Sequence, residues 1–233
     1  MVKNLRGKVG QIVLIDVNLD SPEIARLKEQ RDNADSEMSQ AMGDFEDPNS
    51  MVAKLSDLVE TTAKYYLARD QTVISQLRNE IDGSPDALKI SIIQGGDHTA
   101  SYHHFSTDSR YETNREFLMG FETPSDTRNK VIYPLFSELV RSKIFNTDAE
   151  LDITTLKRDI VAVYIDRILT QGSVPDFVIS TKVRSWSDDQ ITRILDGLHQ
   201  LGSQLTEADK KSSLSSDKVK ALRQFIISAL TNS

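Results

Sequence analysis

The residues best suited to chemistry lie in one segment, GGDHTASYHHFSTD, which runs from Gly95 to Asp108 and holds three of the four histidines in the chain. Imidazole and carboxylate are the usual ligands for zinc, iron or manganese where no thiolate is present, so Asp97, His98, His104 and Asp108 form a candidate metal set. A metal held there would ionise a bound water near neutral pH, which is the chemistry of a metal-dependent hydrolase. His103 and His104 point to opposite sides of an extended backbone, so only one of them can join His98. The spacing of the set matches no established metal motif.

Three other patterns bear on function. Gly95-Gly96 is not followed by GxGxxG or GxxxxGK, so it reads as a turn and not as a phosphate cradle. Pro175-Asp176 has the first half of a magnesium nuclease signature, but Ser180 stands where Ser180-Thr181-Lys182 would need a second carboxylate. Lys182, Arg184 and Trp186 alternate, and on a strand they would share one face. Two cations beside an indole suit phosphate contact and base stacking, which makes them the candidate nucleic-acid contacts. Lys210, Lys211, Lys218, Lys220 and Arg223 could extend that face, although Glu207, Asp209 and Asp217 interrupt it.

No nucleophile elbow, HExxH helix, EF-hand loop or kinase signature occurs, and no cofactor fingerprint is found, so no cofactor is expected. Composition narrows the classes further. The chain has 233 residues, 38% of them hydrophobic, with 10 Gly, 6 Pro and no Cys, and a formal charge of −7. It therefore has the apolar content to fold, and it has no disulfide or thiolate chemistry. The apolar stretch Ile12–Ile15 ends at Asp16 and is too short for a signal peptide or a bilayer span, so the expected location is cytoplasmic and away from membranes.

The elements that must position these residues follow from periodicity. Met51, Leu55, Leu58, Val59, Tyr66, Val73, Leu77 and Ile81 keep helical steps, which predicts a long helix over 50–82 capped by Asn49 or Ser50. Ser21-Pro22-Glu23 starts an earlier helix. Between Lys28 and Ser50 two cations face seven carboxylates, a solvated face or a surface for a basic partner. Ile132 to Ile144 is helical in period, with Pro134 predicting a kink or a start near Tyr133. Thr147 with Glu150, Ser187 with Gln190, and Ser215 or Ser216 start three more helices, and these make a C-terminal helical bundle. Val9–Val17 and Leu88–Ile92 read as strands, and Phe177, Ile179 and Val183 suggest a third. The stretch from His98 to Thr113 has no period and reads as a long loop.

The expected fold is therefore α+β and predominantly helical, with a small β-sheet of two or three strands. Residues 1–122 would form an N-terminal α+β region and 123–233 a mainly helical one. The expected function is that of a non-enzymatic interaction or assembly subunit that presents helical surfaces to protein partners or to itself. A nucleic-acid-binding subunit using Lys182, Arg184 and Trp186, and the metal-dependent hydrolase above, are the alternatives.

Overall fold

The computed structural model describes residues 21–82, 99–110, 135–170, 176–211 and 216–231. Helix α1 (Pro22–Asp44) begins with the proline at its first turn and Glu23 near the positive end of its dipole. It ends at Phe45, whose φ of 53° is left-handed. The backbone N–H groups of Phe45 and Glu46 both return to the Ala41 carbonyl, the close of a Schellman turn.

The chain then reverses into α2 (Pro48–Asp82), a helix of 35 residues. Its cap is Asp47, which accepts from the N–H groups of Asn49 and Ser50 at 3.0 and 3.1 Å, so the expected capping residues are donors within the first turn. A carboxylate placed just ahead of the helix outcompetes Asn49 and Ser50, because its charge also favours the helix dipole. Helix α1 packs back along α2, with Ile24 and Leu27 against Tyr65 and the Arg31 guanidinium 4.9 Å from the Tyr65 ring centre.

Helix α3 (Thr99–Thr107) occupies the stretch expected to be a loop. Its cause is tertiary. Phe105 packs with Val73, Ile74 and Leu77 of α2, and the buried Asp70 carboxylate accepts from the Ser101 N–H at 2.9 Å. A cap supplied from another helix leaves no local signature.

Helix α4 (Phe136–Phe145) is held in the same way. The carboxylate of Asp159, fully buried on α5 (Ile153–Ile165), accepts from the Leu135 N–H at 2.8 Å. Truncation to Asp159→Ala should cost about 2–3 kcal/mol, because it strands a buried donor beside a new cavity, whereas Asp159→Asn keeps an acceptor and should cost less. Urea unfolding of the two variants measures the difference.

Helix α5 forms the centre of the molecule. Six consecutive residues, Ile160–Ile165, are buried, so neighbours cover the helix on every side. It continues as a π turn, Asp166–Thr170. Around it lie α6 (Asp176–Arg184), α7 (Asp188–Gly202) and α9 (Asp217–Thr231), with the short α8 (Glu207–Lys211) between the last two. Ser187 and Gln190 form the expected capping box of α7, and Ser216 Oγ accepts from the Val219 N–H at the start of α9. The main apolar core combines α1, α2, α4, α5, α6, α7 and α9.

The expected α+β architecture is corrected by these elements: among the described residues there is no strand, and the arrangement is a helical bundle. The third expected strand, Phe177 to Val183, is α6, where Ile179 and Val183 lie one helical turn apart and both are buried. A period of four on a buried face overrides the strand preference of β-branched residues. Val9–Val17 and Leu88–Ile92 fall outside the described residues.

Candidate functional site

The candidate nucleic-acid contacts do not share a face. Lys182 is half-buried on α6, and the Arg184 guanidinium pairs with Glu138 of α4. Trp186 lies past the end of α6 with 3% of its surface exposed, and Arg158 Nη2 grips its carbonyl at 3.1 Å while also pairing with Asp188 at 2.8 Å. The alternation that would align the three residues belongs to a strand, and here the backbone is helical.

Of the candidate metal set, Asp97 and His98 fall outside the described residues. His104 is half-buried on α3 with its ring edge-on to Phe105, 5.2 Å between ring centres. Asp108 faces Arg110, and that guanidinium holds its carboxyl down at about 2. Among the described residues no three His, Asp or Glu side chains converge as a metal site would require.

A different site emerges between the first half of α2 and the turn that joins α4 to α5. There the surface opens into a groove of about 470 Å³, within the range of ligand clefts. Val52, Ala53 and Ser56 of α2 form one wall, since residues three and four apart share a helix face. Ala149, Leu151 and Ile153 form the other. Ile153 is 59% exposed, the most exposed of the large apolar side chains described.

The opposite wall is held in place by named contacts. Lys143 Nζ, at the end of α4, donates to the Ala149 carbonyl at 2.9 Å and lies 3.6 Å from Glu60 Oε1 on α2. One ammonium thus ties the turn to α2 across the groove floor. Asp152 caps α5, accepting from the N–H groups of Thr154 and Thr155 at 3.1 Å each and from the Thr155 hydroxyl. This cap aims the first residue of the helix, Ile153, outward beside the groove.

The Thr155 hydroxyl first, and then the two backbone donors, hold the Asp152 carboxyl below its ordinary 3.8. A carboxyl depressed on folding stabilises the folded chain above its unfolded pKa and loses that contribution as pH falls through its folded value. Asp152→Asn should therefore match the native chain at pH 7 within a few tenths of a kcal/mol, since Asn caps as well as Asp, and it should show a shallower loss of stability below about pH 4. Thermal midpoints measured from pH 7 down to about pH 2.5 test this.

Sequence reasoning did not find the groove. One signal was present: Ile153, Leu156, Ile160 and Val163 continue a single apolar stripe one residue beyond the core. The Thr147–Glu150 capping box expected for this helix drew the start too early and hid Ile153 inside the first turns.

The lining carries charges of both signs, Glu60, Lys143, Asp148, Glu150 and Lys157, and their pairing is uneven. Glu60 faces Lys143 and Lys64, the latter at 3.7 Å. Asp148 and Glu150 are exposed at the mouth and make no salt bridge among the described residues, and Lys157 is half-buried on the α5 side. Such a surface suits non-covalent recognition: an open trough of mixed apolar and polar lining, with Asp148, Glu150 and Lys157 at its edges. No helix among the described residues is long and apolar enough to cross a membrane. No protein-family model, curated protein or solved structure matches the chain.

Proposed function

We propose that this chain is a non-enzymatic interaction subunit that docks a protein partner in the groove between α2 and the α4–α5 turn. The observation that carries the reading is Ile153, a large apolar side chain left mostly in water on a wall that a cap and a cross-groove lysine hold rigid. An exposed apolar residue on its own needs no explanation, but one that completes a pre-formed trough does. Burying it against a partner gains hydrophobic free energy, and little ordering is paid for because the walls already stand.

The test compares native chain with Ile153→Asp. Because Ile153 is exposed and acidic residues suit the first turn of a helix, the variant should keep its thermal midpoint within about 2 °C. A partner recovered with native chain at physiological salt should be lost with the variant. Equal recovery by both, or a native chain that is strictly monomeric and binds nothing, would remove the groove from the function.

A further inference from the structure

Resting on that docking reading, we propose that the occupant of the groove is a basic amphipathic helix of about three turns. The length follows from α2. Val52, Ser56 and Glu60 span the wall at helical steps of four, and Asn49 extends it by one step of three. The eleven steps from Asn49 to Glu60 at about 1.5 Å each make a trough roughly 16 Å long, which about three turns of a partner helix would fill.

The secondary structure of the occupant follows from what the walls can offer. An extended peptide gains most of its affinity by pairing its backbone with a sheet edge, and the walls here are a helix and a turn. The backbone of α2 is already engaged in its own hydrogen bonds. Recognition must therefore pass through side chains, and a helix that brings its own backbone bonds and projects one apolar stripe meets that requirement.

The charge of the occupant follows from the rim. Lys143 is consumed by Glu60 and the Ala149 carbonyl. Of the lining charges left without a salt bridge among the described residues, one lysine, the half-buried Lys157, offsets the rim only in part, and it stays net acidic through the exposed Asp148 and Glu150. A lysine or arginine flanking the apolar stripe would meet them, and an acidic helix would be repelled. The chain as a whole carries −7, which steers a cation toward it and not away. A second copy of this chain fits less well, because a two-fold contact through this patch sets two carboxylate rims against each other.

The test uses two synthetic helical peptides of about 15 residues, a Leu/Lys peptide with leucines at i, i+3, i+4 and i+7, and the same peptide with glutamate for lysine. Each is titrated into the full chain at physiological salt, with anisotropy for affinity and amide NMR shifts for location. The Leu/Lys peptide should bind about tenfold or more tightly than its Leu/Glu counterpart and should shift the amides of Val52, Ser56 and Ile153. Asp148→Lys with Glu150→Lys should reverse the preference, and Ile153→Asp should weaken the Leu/Lys peptide about tenfold.

Equal binding of both peptides in the groove would overturn the basic character and leave docking standing. Shifts confined to the acidic face of α1, or no shift from either peptide, would overturn the helical occupant, and the capture experiment with Ile153→Asp then decides docking by itself. A concentration-dependent dimer abolished by Ile153→Asp would assign the groove to a second copy and overturn the proposal.

Discussion

Tyr164→Ala is expected to destabilise the chain by about 4 kcal/mol, the range for a buried aromatic truncated in a core that cannot collapse around the loss. Tyr164 is 1% exposed on the central helix, and its ring stacks on Phe45 at 5.1 Å between centres and 15° between planes. Its hydroxyl donates to the Met42 carbonyl at 3.1 Å and touches Met51 Sδ at 3.3 Å. That carbonyl is one of the last four of α1, which have no partner within the helix. The Schellman turn engages Ala41, so Tyr164 does for Met42 what the turn cannot. Tyr164→Phe should therefore cost about 1–2 kcal/mol for the hydroxyl alone. For a chain of this length the two substitutions correspond to midpoint losses of roughly 12 °C and 4 °C, measured by calorimetry. If Tyr164→Phe is neutral, the helix end is satisfied another way and the hydroxyl contributes nothing.

Gly202→Ala is expected to cost about 3 kcal/mol or more, a large effect for adding one methyl group. A Cβ built at Gly202 would lie 2.0 Å from Cδ1 and 2.1 Å from Cγ of Phe45, and 2.7 Å from its Cβ. Phe45 has no direction in which to yield. Its left-handed backbone is tied by the turn at the end of α1, its ring is held against Tyr164, and His199 Nδ1 donates to its carbonyl at 2.7 Å.

Gly197→Ala provides the internal comparison. There the nearest atoms belong to the far end of the Phe225 ring, at 2.2 to 2.9 Å, and Phe225 is only partly buried, so that ring can swing aside. The cost at Gly197 should stay below about 1.5 kcal/mol. Phe45→Gly removes both ring and Cβ while suiting the positive φ, so in that background Gly202→Ala should become nearly neutral. Additive losses in the double variant would show that the strain at Gly202 lies elsewhere.

What the sequence determined by itself was largely local. The helical steps from Met51 to Ile81, the Ser187–Gln190 box and the serine ahead of α9 all reappear in the structure, because periodicity and capping act within a few residues. Local rules also explain the misplacements. Asp47, two residues before Asn49, and Asp152, five residues after Thr147, hold the caps that were expected at Asn49, Ser50 and Thr147, each a carboxylate directly ahead of its helix. The run from Phe177 to Val183 carries strand-forming side chains, yet Ile179 and Val183 bury together only on a helix, and burial outweighs propensity.

What tertiary structure alone decided were the long-range meetings. Helix α3 exists where no period announced it because Asp70 caps it from α2 and Phe105 finds apolar cover there. Trp186 is buried past the end of α6, and Arg158, 28 residues earlier, holds its carbonyl. The groove joins residues near position 52 to residues near position 150, and Lys143 closes it through a carboxylate on one side and a carbonyl on the other. No spacing along the chain encodes that meeting. Loop closure of such length costs entropy that only the packed core repays, so the groove comes into being with the bundle and not before it.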